Sequence, residues 1–262
     1  MSDGIQYSLF TKPWKSQSLQ ELGELVADLG FDGIELPVRP GYQVEPETVR
    51  ELLPRAAEEL AKSGVRILSV AGPTDKSAII ACAEAGVPII RTMAHIGDET
   101  YLEAEDRLRR EYASLMPLLE ECNVTIGVQN HCNRFVANAV ALARLLQGFD
   151  PKYVAAVWDA AHEALVGTLP EFALDVIWPQ LCMVNLKNGF WQRATGPKAK
   201  VAEWRTYWTS GRQGLCAWPH VVDELKRRRY KGVVCLTAEY SDGASVERLI
   251  SEDLLFAREL FA

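Results

Sequence analysis

Gln129, Asp159, Asn185 and Glu239 each close a short apolar run, in VTIGVQNH, VAAVWDAAH, LCMVNLKN and VVCLTAEY. If those runs are parallel strands rolled into a barrel, the four side chains converge at its C-terminal mouth. Asp159 and Glu239 would otherwise need salt-bridge partners inside the barrel. Two carboxylates can neutralise a divalent cation, and the amide oxygens of Gln129 and Asn185 would complete an all-oxygen set favouring Mg²⁺, Mn²⁺ or Ca²⁺ over Zn²⁺. Such a set carries less charge and fewer bases than most sites of this kind.

Neighbouring residues could supply what the amides lack. His131 follows Gln129 by two, which at an extended strand end puts both on one side, and imidazole titrates near neutrality. Lys187, two beyond Asn185, could pair with a developing oxyanion, with an exposed rim lysine as the ordinary alternative. Glu35 in the second apolar run faces the same mouth and could bind substrate or enter a structural ion pair. His95, after the fourth run, could contact ligand or hold its own loop. Trp14 and Trp191, after the first and seventh runs, could wall an apolar substrate face or pack in the core. Arg212, in the GRQG turn, could meet a substrate oxygen or phosphate, but GRQG without a following GK[ST] is no P-loop. No Gly-x-Ser-x-Gly elbow, HExxH or post-strand GxGxxG supports the common hydrolase, zincin or dinucleotide readings.

The elements that must position these residues follow a repeating order. Apolar runs at residues 5–9, 33–36, 66–70, 89–93, 124–130, 154–159, 181–187 and 233–239 alternate with amphipathic stretches, and eight such strands close a barrel. Ser18 and Glu21 form a capping box before the stripe Leu19, Leu22, Leu25, Val26 and Leu29, which Gly30 ends. Pro46 opens a second helix that Gly64 stops, and Gly86 and Gly148 end the third and fifth helical patterns in the same way. Residues from about 188 to 217 form one long irregular stretch with several tryptophans, expected as a lid or binding loop on the mouth side.

With 262 residues and 48% hydrophobic content, the chain suits one α/β barrel domain spanning 1–262. A net charge of -7 without a basic stripe argues against nucleic acid. Six dispersed cysteines without a CxxC pair read as reduced thiols. The opening MSDGIQYSLF has no basic start, and no segment reaches the roughly 18 apolar residues of a membrane span. A soluble cytoplasmic protein is the expectation. Barrels of this kind often self-associate as homo-oligomers, although no stretch of sequence marks an interface.

FDGIEL, VQNH, DAAH, NLKN, the GRQGLCAWPHVVDELKRRRYKG segment and the terminal AEY together resemble the xylose-isomerase-like sugar phosphate isomerase/epimerase superfamily of (β/α)8 TIM barrels, over nearly the whole length. The resemblance implies a divalent metal, held in that family by Glu, Asp, His and Glu on strands five to eight. Asp159 and Glu239 match; Gln129 stands for the first Glu and Asn185 for the His. It also implies that His162, in the DxxH position, binds substrate oxygens and that the ligand is a small sugar or polyol. In the family the two glutamates act as acid and base, and a Gln amide cannot accept a proton at useful pH. The leading expectation is a metal-dependent sugar isomerase or epimerase with Glu239 as ligand and base, Asp159, Gln129 and Asn185 as further ligands, and His131 or His162 in proton transfer. The alternatives are a keto-sugar or inosose dehydratase or lyase using Glu239 as its single base, and a sugar-binding barrel without catalysis.

Overall fold

A computed structural model describes residues 4–262; Met1, Ser2 and Asp3, which begin the MSDGIQYSLF stretch, lie outside the described residues. The chain forms β1 (Ile5–Phe10), α1 (Leu19–Leu29), β2 (Gly33–Pro37), α2 (Val49–Ala61), β3 (Arg66–Ala71), α3 (Lys76–Glu84), β4 (Ile89–Met93), α4 (Tyr101–Cys122) and β5 (Thr125–Gln129). It continues with α5 (Ala139–Leu146), β6 (Val154–Asp159), α6 (Ala160–Leu165), α7 (Pro170–Ile177), β7 (Leu181–Leu186), β8 (Asn188–Arg193), β9 (Trp204–Thr209), α8 (Trp218–Arg227), β10 (Gly232–Leu236) and α9 (Val246–Phe261). Eight parallel strands close a barrel in the order β1-β10-β7-β6-β5-β4-β3-β2. The helices pack outside it, so the α/β barrel expected from the alternation is the fold observed.

Local chemistry fixes the elements as anticipated at several points. The Ser18 and Glu21 capping box opens α1, and Gly30 closes it at φ 87°. Pro46 begins a 3-10 turn, Pro46–Thr48, rather than the helix itself, which starts at Val49. All six cysteines are free. Among the described residues, no helix is long and apolar enough to cross a membrane.

Two apolar layers result. The larger lies between barrel and helices and includes Trp14. The smaller fills the barrel with Phe10, Leu68, Ala71, Ile89, Val157, Met183, Val233 and Cys235. Above that plug, inward-facing positions turn polar, and the candidate site begins there.

The stretch expected to be irregular is partly an antiparallel hairpin, β8 and β9, in register from Asn188 opposite Thr209 to Arg193 opposite Trp204. Its Phe, Trp, Tyr and Thr content suits strands. Side-chain bonds anchor its base. Asn188 Nδ2 donates to the Gly211 and Cys216 carbonyls, and its Oδ1 accepts from the Gly189 and Cys216 amides. Trp208 exchanges two hydrogen bonds with Ser241, one through the Ser241 hydroxyl and one through its amide.

Candidate active site at the barrel mouth

Strand periodicity sends Gln129 and His131 inward and Asn130 outward. Asn130 ties β5 to the β6–α6 junction: its Oδ1 accepts from the Asp159 amide at 2.7 Å, and its Nδ2 donates to the Asp159 carbonyl at 3.1 Å and to Glu163 Oε2 at 3.2 Å. Asp159 thereby ends β6 in one orientation, and its Oδ1 accepts from the backbone N–H groups of Ala161 and His162, both at 3.0 Å. The same carboxylate that faces the mouth caps α6. Burial raises its pKa to about 6, with the Lys187 charge working in the opposite direction.

Arg91, on β4, spans Glu35 and Gln129. Its Nε lies 2.8 Å from each Glu35 oxygen and its Nη2 lies 2.6 Å from Oε2, while Nη1 donates to Gln129 Oε1. Gln129 Nε2 then donates to Asp159 Oδ2 at 2.8 Å. The carboxamide can bridge a cation and an anion in this way because it carries both acceptor and donor. Glu35 is fully buried and also accepts from Ser69 Oγ at 3.1 Å. Glu35 thus forms the ion-pair alternative of the two expectations, with Arg91 as its partner.

Glu239 lies beyond the end of β10, past Ala238, which adopts a left-handed φ of 50°. Its Oε2 is 2.7 Å from Lys187 Nζ, and its Oε1 meets Lys12 Nζ. Burial alone would raise its pKa, but the ammoniums of Lys187 and Lys12 overcome that and hold the carboxyl well below the usual range. The Lys187 ammonium also sits under the Trp208 indole, 3.6 Å from the ring centroid. Such a desolvated cation–π contact contributes about 2 kcal/mol.

His162 is buried, its ring centroid 3.9 Å from that of His131 and 5.1 Å from that of Trp208. Its Nδ1 accepts from the Cys132 amide at 3.2 Å, which places the proton of the neutral ring on Nε2, 4.0 Å from Asp159 Oδ2. His131 Nδ1 lies 2.8 Å from the Cys132 carbonyl and donates to it, leaving Nε2 as the lone-pair nitrogen. Burial, then the Lys187 charge, pushes the pKa of His162 well below its ordinary value. Burial also lowers that of His131, partly offset by its bond to the Cys132 carbonyl. Both shifts favour the neutral imidazole.

Gln129, Asp159, Asn185, Glu239, His131, His162 and Lys187 thus belong to one mouth. Other expected site residues do not join it. Arg212 lies over the Phe256 ring, 3.7 Å from its centroid, and pairs with Glu259 on α9. The GRQG glycines explain the turn better, because a Cβ on Gly214 would lie 2.0 Å from Asn188 Oδ1 and one on Gly211 would lie 2.6 Å from the Trp218 ring. Trp14 is buried in the outer core. His95 is exposed on the rim, edge-on to Phe135. By register Trp191 shares the Trp208 face of the hairpin, yet its Nε1 donates to the Leu165 carbonyl at 2.9 Å at the edge of the mouth. Lys12, Arg91 and Trp208 were not singled out from the sequence. An arginine inside the apolar run IIRTM was the available signal for Arg91.

The four strand-end residues fit a divalent metal poorly. Both polar atoms of Gln129 are engaged, one by a cation and one as a donor to the carboxylate that would have to bind the ion. Both Glu239 oxygens are held by ammoniums. Three cations, Arg91, Lys12 and Lys187, already balance three carboxylates, Glu35, Asp159 and Glu239. Of these four, Asn185 is fully buried and has both amide atoms without a partner among the described residues. Elsewhere among the described residues, metal-ligating atoms of His131, Cys132 and His162 lie within 4.8 Å of one another. There the two Nδ1 atoms are already bonded to the Cys132 backbone, and burial raises the Cys132 thiol pKa.

No curated protein is detectably similar to the chain in sequence. Among solved structures, a probable 3-DHS dehydratase from Bacillus anthracis superimposes with a TM-score of 0.73 at 17% identity, covering 97% of this chain and 98% of that one. A D-psicose 3-epimerase solved with D-fructose gives 0.70 at 12%, covering 98% and 99%. A 3-keto-D-glucoside 4-epimerase from E. coli gives 0.71 at 12%, covering 97% and 99%. At these identities the likeness shows the fold alone. The family model described as xylose isomerase-like TIM barrel matches residues 24–260, and the chain belongs to that family.

Proposed function

We propose that this protein is an enzyme that moves a proton at the carbon next to a carbonyl in a small polyhydroxy compound, a sugar or keto-sugar, as an isomerase or epimerase. The observation that carries the reading is the Lys187 ammonium at the barrel mouth, fixed by Glu239 at 2.7 Å and by the face of Trp208, beside a neutral imidazole whose Nε2 is free. A fixed cation can stabilise the oxyanion that forms as the carbon loses its proton, and a neutral histidine can take that proton. The unpartnered amide of Asn185 offers a donor and an acceptor to a substrate hydroxyl, and Trp208 offers an apolar face to the sugar ring.

His131 suits the base role better than Glu239, whose basicity is suppressed by its two ammonium partners. Glu239 instead orients Lys187 and Lys12. The fold is shared with a D-psicose 3-epimerase and a probable 3-DHS dehydratase, and the close, tilted His131–His162 pair supports elimination as a second reading, in which His131 takes the proton and the imidazolium so formed gives it to the leaving hydroxyl. The donor set at the mouth does not fit a divalent ion, and the chain's own ammonium at Lys187 supplies the positive charge in this reading.

Proton NMR in D2O with a panel of keto-sugars and inososes tests both readings together. Deuterium washing into the carbon next to the carbonyl, with loss of the effect in His131→Gln and Lys187→Met, supports proton transfer. Accumulation of an unsaturated product selects elimination. Saturable binding without exchange for any compound would replace both with a non-catalytic sugar-binding barrel.

A further inference from the structure

We propose that Lys187, with Lys12, occupies the position of a divalent cation at this mouth, so that positive charge supplied by the chain itself replaces a bound metal. The two ammoniums come from opposite ends of the sequence and take one Glu239 oxygen each. Lys187 is almost completely buried, whereas Lys12 and Glu239 remain partly accessible. The long side chain just past the end of β7 reaches the Glu239 carboxylate beyond the end of the last barrel strand.

The remaining polar groups agree with that placement. Gln129 turns its oxygen to the Arg91 guanidinium and its NH2 group to Asp159. A carboxylate at this position would stand 2.8 Å from Asp159 Oδ2, a contact that only an intervening cation or a proton relieves. The amide removes that repulsion without a metal. Three positive and three negative side chains leave no net negative charge to attract a dication, and hard cations bind where anionic oxygens are in excess. Trp208 then covers the ammonium with an indole face, which attracts a monovalent organic cation and offers no lone pair to a metal ion. The inference concerns cation binding and stands or falls separately from the choice of substrate.

Titration of Mn²⁺ into chelator-treated protein, followed by calorimetry and by the EPR signal of free Mn²⁺, provides the test. Wild type should show no binding below about 1 mM, a Kd equivalent to about 4 kcal/mol. Lys12→Met/Lys187→Met should bind at least about tenfold more tightly because Glu239 and Asp159 lose their cationic neighbours, a gain of about 1.4 kcal/mol. The gain should vanish when Glu239→Gln is added. Thermal melts establish that each variant folds, and if the double variant does not, the half-exposed Lys12→Met alone should still tighten Mn²⁺ binding measurably. Near-stoichiometric metal in wild type that disappears with Glu239→Gln would overturn the proposal. So would unchanged, absent binding in the folded lysine variants, because the amides rather than the ammoniums would then exclude the ion.

Discussion

Replacing Arg91 with Met isolates the contribution of the buried ion pair under the mouth. The guanidinium makes close contacts to both oxygens of Glu35, at 2.6 and 2.8 Å, and a further bond to Gln129. Glu35 is fully buried and Arg91 is 5% exposed, so solvent cannot take over when the partner is removed. Met fills similar space against Phe10, whose ring centroid lies 4.8 Å from the guanidinium carbon, and the loss is therefore mainly electrostatic. Glu35 would keep only the Ser69 hydroxyl at 3.1 Å and a distant Cys235 thiol. A buried charge stranded in this way costs about 3–5 kcal/mol. For a chain of this size each kcal/mol moves the midpoint by about 2–4 °C, giving a fall of roughly 6–20 °C. Glu35→Gln/Arg91→Met removes the stranded charge and should recover at least about 1 kcal/mol relative to Arg91→Met. Thermal unfolding of wild type, both single variants and the double variant closes the cycle. A fall below about 2 °C for Arg91→Met, or a double variant as unstable as the sum of the singles, would refute the account.

Gly214→Ala should destabilise by about 1–3 kcal/mol in urea unfolding, because the new Cβ would meet Asn188 Oδ1 at 2.0 Å and the Gly189 amide nitrogen at 2.6 Å. Glu163→Gln should flatten a pH-dependent loss of stability. Burial raises the Glu163 pKa from 4.5 to about 7, so its contribution is full below pH 4.5 and is lost as pH rises through 7. That rise amounts to about 3 kcal/mol, and melting midpoints of wild type and variant from pH 4 to 8 should converge at the acid end and separate in favour of the variant above neutrality.

Much of the barrel was legible because its signals are local. Capping at Ser18 and the strand runs depend on residues a few positions apart, and the expected strands coincide with the observed ones to within a few residues. The last strand was overextended: apolar alternation carries through to Glu239, but the chain leaves the ladder after Leu236 and turns at Ala238. Convergence of Gln129, Asp159, Asn185 and Glu239 followed from strand ends alone. Their partners did not. Lys12 and Glu239 are 227 residues apart, and whether Gln129 faces a metal or a guanidinium is decided by Arg91, 38 residues away on a neighbouring strand. Glu35 in FDGIEL and Arg91 in IIRTM were each visible as charges within apolar runs, and pairing them would have accounted for both. The hairpin was obscured because its strand-forming residues fall between two βα units, where a loop was the simpler expectation.

The anchoring of that hairpin determines how the mouth can be entered. Asn188 fastens its first leg to the GRQG turn and the approach to α8, and Ser241 fastens its second leg at Trp208. The base of the hairpin, and with it the indole over Lys187, is therefore pinned to its surroundings. The hairpin is pinned as a roof over Lys187, and Lys12 and Glu239 are the more accessible charged groups beside it. Under the proposed function, an incoming sugar would meet the accessible Lys12–Glu239 pair before the buried Lys187 and Asn185.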